Sequence, residues 1–506
     1  MAAEAGDDGL RRLPPGPGPG PDRISALPDE LIQAILAWLP STAAAARTSA
    51  VSRRWRHVWT GVPALSFHVE QKPLREYSST DAALDAALDA YSDSAALSRL
   101  TIDVDGPSPA PRIAPWLRFA SLRLAGELRL TLKGGAPKQP VMMGPLVHHP
   151  IAMGPFVHQP VLLAIGDLMQ QLELPACERA TRIDLAGINF ALRLPPAGAF
   201  AALRILRISV TDLVRGDVGH LVSTQCPRLR DLELCGVTLE AANLSISSAS
   251  LERLVLRRVS IKNEGRIDVA APSMYYLALD NCGGRSVAVT IATAMLAELI
   301  WNHAYDPRLH KLEGADRQIY RLVATYGSNA ALFRRFDAVD ELCLRLSMLS
   351  KPAECKKFVR EMDKLPKTKV LEVKGLSTKQ HFEPVMLHLL RKHNRLVKIK
   401  VDLFPANLKE INYCLRHGCT CVPPVSWTTD DVVLDSLEEV EISSFTGAVE
   451  EVELLKLLFG CNIKIRRLAI HTASGVSLSQ EMQKRIWGLA RPHCISLEFE
   501  TTQFSR

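Results

Sequence analysis

The sequence predicts an α/β chain. A short unit of three helices near the amino end is followed by a long solenoid of stacked, strand-bearing repeats and then by a closing α/β segment. Three observations carry this reading. Apolar residues recur at helical spacing between Ile24 and Val62. The pattern Leu-x-x-Leu-x-Leu, with Ile allowed at its end, returns through the middle of the chain. Apolar runs from about 420 to 500 follow a strand–turn–helix–strand order.

In the amino-terminal unit, Pro28 sits where a first helical turn tolerates a missing N–H, and Asp29 and Glu30 lie at the positive end of the helix dipole. Leu31, Ile32, Ile35, Leu36 and Leu39 are expected to form one apolar face, with Pro40 ending the helix. The alanines from Ala43 favour a helix with little to bury. A third helix is expected to carry Val51, Trp55, Val58 and Trp59 on one face, with Arg53, Arg54 and Arg56 around it. About 40 residues make too small a core, so this unit should expose apolar surface and need a partner.

The residues that carry this unit are Leu27-Pro28-Asp29-Glu30-Leu31 and Arg47-Thr48-Ser49-Ala50-Val51-Ser52-Arg53-Arg54-Trp55-Arg56-His57-Val58-Trp59. They closely resemble the F-box family, and its plant group in particular. The resemblance implies docking on a Skp-type adaptor, which bridges to cullin and RING subunits. It assigns the docking face to Leu27, Pro28, Leu31, Ile35, Leu36, Leu39, Pro40, Val51, Ser52, Trp55 and Trp59. One departure is an alanine run, Ala43 to Ala46, where family members often carry an acidic residue.

Around this unit the chain divides into a Pro/Gly-rich disordered tail at 1–21, the F-box at 22–62, the solenoid at 63–419 and a carboxyl-terminal cap at 420–506. Leu65 to Val69 reads as a strand, Asp81 to Leu97 as a helix and Leu100 to Val104 as a second strand. The best repeats begin at Leu203, Leu229 and Leu251, with a looser copy at Met274, giving offsets of 26, 22 and 23 residues. That spacing is the leucine-rich-repeat range. Ala180 to Leu185 fits one unit earlier. Val339 to Leu344, Leu396 to Val401 and Ser436 to Ile442 are degenerate later copies. From about Ser286 the pattern blurs, and Lys351 to Lys364 and Gln380 to His393 read as longer helices. A single repeat cannot bury its own apolar side, whereas stacked neighbours make a continuous core and a concave strand face. Arg207, Glu233 and Val255 are the expected outward positions, with Arg204, Arg230 and Arg253 beside them. The functional reading of Arg204, Arg207, Arg230, Glu233 and Arg253 is a partly basic surface for an acidic target segment; the alternative is a solvated strand face.

The last segment carries Trp427, Ser436 to Ile442, Phe445-Thr446-Gly447, Glu450 to Leu458 and Ile465 to Ile470. In order and spacing it resembles the FBD region of plant F-box proteins, and it should cover the last repeat as a cap.

Composition sets the remaining bounds. The chain of 506 residues is 47% hydrophobic and 23% charged, with a net charge of +7, which does not point to nucleic acid. Eleven cysteines, mostly isolated, read as free thiols in a reducing compartment. No apolar leader or membrane-length run is visible, so the expected location is nucleus and/or cytoplasm, with no membrane partner. A tandem copy of His-rich sequence, Met143 to Pro150 and Met153 to Pro160, reads as a surface loop at 133–162. Cys414, His417, Cys419 and Cys421 are too crowded for a tetrahedral metal site. No phosphate loop, dinucleotide fingerprint or nucleophile elbow is present, so neither cofactor nor catalytic residue is expected. The expectation is a non-catalytic substrate-recognition subunit of an SCF-type ubiquitin ligase. The alternative is an interaction scaffold that uses the F-box only for docking.

Overall fold

The computed structural model describes residues 27–70, 79–92, 96–106, 109–133, 171–188, 191–214, 217–261, 265–282, 287–325, 329–346, 364–376, 383–403, 432–461 and 463–501. The expected disordered tail, the His-rich loop, the helix at Lys351 to Lys364, the Cys414–Cys421 group and Trp427 lie outside, or almost wholly outside, these residues.

The amino-terminal unit holds α1 (Asp29–Leu36), α2 (Thr42–Arg47) and α3 (Trp55–Val58), with a 3-10 turn at Thr48–Ala50. α1 begins on Pro28, whose carbonyl accepts from Leu31 N and Ile32 N at 3.1 Å. Ser41 caps α2 by accepting from Ala44 N at 3.2 Å. The helices are shorter than their apolar spacing implied, and α1 stops at Leu36, four residues ahead of Pro40.

Among the described residues, the rest is built on a nineteen-stranded sheet. Its main ladder is parallel throughout, each strand pairing with the next repeat. It runs Ala64–Glu70, Leu97–Asp105, Leu124–Lys133, Arg182–Ala186, Ile205–Val214, Asp231–Leu239, Arg253–Arg257 and Tyr276–Asp280. It continues through Glu298–Trp301, Gln318–Thr325, Ala338–Arg345, Lys367–Leu376, Lys398–Leu403, Glu439–Phe445, Ile465–Thr472 and Cys494–Thr501. Register places one aliphatic side chain of each strand at the same inward height, from Leu65, Leu100, Leu128 and Ile183 through Leu206, Leu232, Leu254 and Leu277. This row is the spine of a single continuous core.

Spacing decides what covers the back of the sheet. Leu232, Leu254, Leu277, Leu299 and Leu322 lie 22 or 23 residues apart. These short repeats return through a second parallel sheet of four strands, Asn243–Ser247, Arg266–Ala270, Ala288–Ala292 and His310–Glu313. Leu342, Leu371 and Ile399 lie 29 and 28 apart, as Val440, Leu468 and Leu497 lie 28 and 29 apart. The extra residues leave room for the helices Glu383–Lys392, Val449–Gly460 and Gln480–Ala490.

Two sequence expectations change, and one helix is added. The helix read over Asp81 to Leu97 ends at Asp89, and Leu97 already opens the next strand. A helix at Ala110–Arg123 was not read from the sequence; it holds two prolines, Pro111 in the first turn, where its missing N–H costs nothing, and Pro115 inside the helix. Its Trp116 Nε1 donates to Asp85 Oδ1 at 2.9 Å, tying the two helices together. Val255 is not outward-exposed but 3% accessible, flanked in register by Glu233 and Ala278. The carboxyl-terminal α/β segment covers the preceding repeat by joining the ladder: Glu439–Phe445 pairs in register with Lys398–Leu403, and the segment adds three strands.

Candidate functional site: an exposed helical face and a mixed-charge strand face

The helical unit is locked to the first repeat on one side. Ile32, Leu36, Ala45, Val58 and Val62 belong to the same buried core as Leu65. Buried Thr42 accepts at Oγ1 from Ser66 N at 2.7 Å. Tyr91 donates its hydroxyl to the Val62 carbonyl at 2.9 Å. Arg54 donates to Asp29 at 2.6 and 2.9 Å and to the Leu27 carbonyl, clasping the start of α1.

The other side is apolar and open. Leu31 is 52% exposed, Ile35 51%, Trp38 91% and Val51 71%. The spacing of Leu31, Ile35 and Trp38 is one stripe of a helix. The single apolar face read from sequence is therefore two: Ile32 and Leu36 turn inward, while Leu31, Ile35 and Leu39 turn outward. Of the assigned docking residues, Pro28, Leu31, Ile35, Leu39, Pro40, Val51 and Ser52 are exposed. Leu36 is buried, and Leu27, Trp55 and Trp59 are half-buried against the core, where they brace the face from behind. Ser52 Oγ accepts from Trp55 N at 3.3 Å and so starts α3. Trp38, the most exposed of these apolar residues, was missed by the sequence reading; its position seven residues after Leu31 was the available signal.

The strand face is charged, but its arginines are matched. Arg207 lies 3.4 Å from both Asp231 and Glu233. Arg253 is 3.9 Å from Asp231 and sits over the Tyr276 ring at 3.9 Å. Arg230 pairs with Glu252 at 3.5 Å, Arg257 with Glu233 at 3.5 Å, and Arg182 with Asp184 at 2.8 Å. Arg204 is exposed ahead of Ile205. The expected basic surface is thus a lattice of opposite charges. Two shallow depressions of about 300 and 410 Å³ open on it, sharing Arg129, Arg182 and Asp184. Farther along, Lys398 bridges Glu439 and Glu441 at 2.9 and 3.2 Å. Burial works against its charge, but these two carboxylates outweigh burial and raise its pKa.

Burial pushes the thiols of Cys226 and Cys343 up to about 12 and that of Cys177 to about 11, away from thiolate character. Among the described residues no group of three or more His, Cys, Asp or Glu is placed to hold a metal. No described helix is long and apolar enough to cross a membrane.

The F-box-like family profile matches residues 24–60, the stretch that presents the open apolar stripe. A putative F-box/LRR-repeat protein of Arabidopsis thaliana is 35% identical over 111 residues, 22% of each chain. Another from the same plant is 23% identical over 440 residues, 84% of this chain and 82% of that one. An F-box/FBD/LRR-repeat protein of Arabidopsis thaliana is 26% identical over 265 residues, about half of each chain. The chain carries an F-box-like region at 24–60 and is similar along most of its length to F-box/leucine-rich-repeat proteins of Arabidopsis thaliana. The chain spans only 22%, 18% and 10% of the length of three such relatives, which are 35%, 54% and 57% identical to it over the matched stretch. The open stripe Leu31, Ile35 and Trp38 lies within the F-box, and the mixed-charge face within the leucine-rich repeats.

Proposed function

We propose that this chain recruits target proteins to an SCF-type ubiquitin ligase, with the F-box docked on a Skp-type adaptor and the leucine-rich repeats holding the target. The observation that carries the reading is the exposure of Leu31, Ile35, Trp38 and Val51 on a unit whose opposite face is fixed to the solenoid. Large apolar side chains left open on so small a unit mark a protein interface. The chemistry of transfer then belongs to the cullin and RING subunits. This chain contributes proximity, holding the target close enough to raise its effective concentration. A mixed-charge strand face suits a target segment that carries both signs of charge in register. Such a complex works in the nucleus or cytoplasm.

The test is affinity purification of the full chain followed by mass spectrometry. Recovery of a Skp-type adaptor with cullin and RING subunits supports the reading. Adaptor without cullin, under conditions where a known cullin complex survives, contradicts it and favours a non-ligase scaffold.

A further inference from the structure

Among the described residues, the strand ladder is covered at its first strand and uncovered at its last. From Leu65 to Leu468 the inward aliphatic row is at most 2% exposed at each position, Val440 being the highest. At the last strand, Cys494–Thr501, the equivalent Leu497 is only half-buried, and so is Phe499. Ile495, two residues earlier on the same side of the strand, is 82% exposed. At the opposite end the helical unit lies over the first strand, and Leu65, Phe67 and Val69 are 1%, 9% and 1% exposed. Among the described residues Cys494–Thr501 pairs only with Ile465–Thr472, so its outer backbone edge offers a row of N–H and C=O groups. The other face of this strand carries Ser496, Glu498 and Glu500.

We propose that this edge takes up an extended segment of a partner protein as one further strand, with apolar residues at alternate positions and Lys or Arg between them. Main-chain pairing supplies affinity, and the two faces of the strand supply selectivity. Apolar residues of the segment cover Ile495, Leu497 and Phe499. Its cations meet Glu498 and Glu500, whose side chains are 43% and 54% exposed while Arg467 and His471 approach them from the inner side. The ladder itself follows this rule. The column that ends at Glu498 alternates in sign through Glu372, Lys400 and Glu441 before Ala469. A second copy of this chain is the poorer occupant. Edge-to-edge pairing gathers the Glu498 and Glu500 carboxylates of both copies into one patch, where like charges repel. The proposal stands whether or not the F-box docks an adaptor.

The test uses the full chain and two ten-residue synthetic peptides, one alternating valine with lysine and one alternating valine with glutamate, followed by fluorescence anisotropy. The lysine peptide is expected to bind about tenfold more tightly than the glutamate peptide or better. Ile495→Asp should abolish binding with an unchanged melting temperature, since the side chain is already exposed. Glu500→Lys should shrink the preference, and Glu498→Lys with Glu500→Lys should reverse it. Equal binding of the two peptides, no binding of either, or undiminished binding by Ile495→Asp would overturn the proposal. So would a concentration-dependent dimer that Ile495→Asp dissolves, because the occupant would then be a second copy.

Discussion

The hydroxyl of Thr42, in the second helix of the F-box, accepts a hydrogen bond from the backbone N–H of Ser66, in the first strand of the repeats, at 2.7 Å. Thr42 is 4% exposed and Ser66 half-buried, so this bond crosses a largely covered junction. It ties the helical unit to the first strand of the sheet. Thr42→Val keeps the shape and strands the Ser66 N–H. A loss of about 1–3 kcal/mol is expected in urea unfolding, and Thr42→Ser should recover much of it. Faster amide exchange at Ser66 in the valine variant alone would locate the effect.

A second buried group organises the FBD-like region. Glu451, 2% exposed, accepts from Thr446 N and Gly447 N at 2.8 Å, Thr446 Oγ1 at 2.9 Å and Ala448 N at 3.2 Å. It is the reaching-back half of a capping box, and Ala448 has no side-chain oxygen to complete the other half. Glu451→Ala leaves four donors unmatched and should cost about 3 kcal/mol. Glu451→Gln, which keeps one carbonyl oxygen, should cost less. Equal stability of the three proteins in thermal unfolding would contradict this role.

Two histidines predict a weakness toward acid. Burial, helped by neighbouring His310, lowers the pKa of His303 to about 4, and burial with nearby Lys392 does the same for His393. Both are neutral in the fold and titrate near their ordinary value once unfolded. Their contribution to stability is present above about pH 6.5 and is lost as pH falls from there toward about 4. Melting temperature against pH should therefore slope down across that window. The slope should be shallower in His303→Asn combined with His393→Gln.

Much of this was written in the sequence. The aliphatic spacing located the central repeats, because each inward Leu must meet its neighbour. It lost the two repeats at Glu298–Trp301 and Gln318–Thr325 for a packing reason. Trp301 and Ala324 stand side by side in register, both fully buried, one oversized and one small for a leucine position. Their volumes compensate each other, which a pattern scored one residue at a time does not register. The F-box was legible as residues, but which half of its apolar set faces outward depends on the repeat it leans on. The charge pairing of Arg207, Arg230 and Arg253 depends on the neighbouring repeat, so the arginines alone suggested a partly basic surface.

That volume pairing is itself testable. Ala324→Leu pushes extra methyl groups against Trp301 and should destabilise by about 1–3 kcal/mol. Trp301→Leu combined with Ala324→Leu should recover part of the loss, a coupling that a double-mutant cycle measures. Simple additivity of the two changes would count against direct packing.

The central claim is that the open stripe of the F-box binds a Skp-type adaptor. The most direct measurement is calorimetric titration of the purified full chain with a purified Skp-type adaptor, comparing wild type with Leu31→Asp/Ile35→Asp. Both side chains are about half exposed, so the variant should melt at the wild-type temperature. One-to-one binding by the wild type and none by the folded variant is the predicted result. Undiminished binding by the variant, or no binding by the wild type, would contradict it.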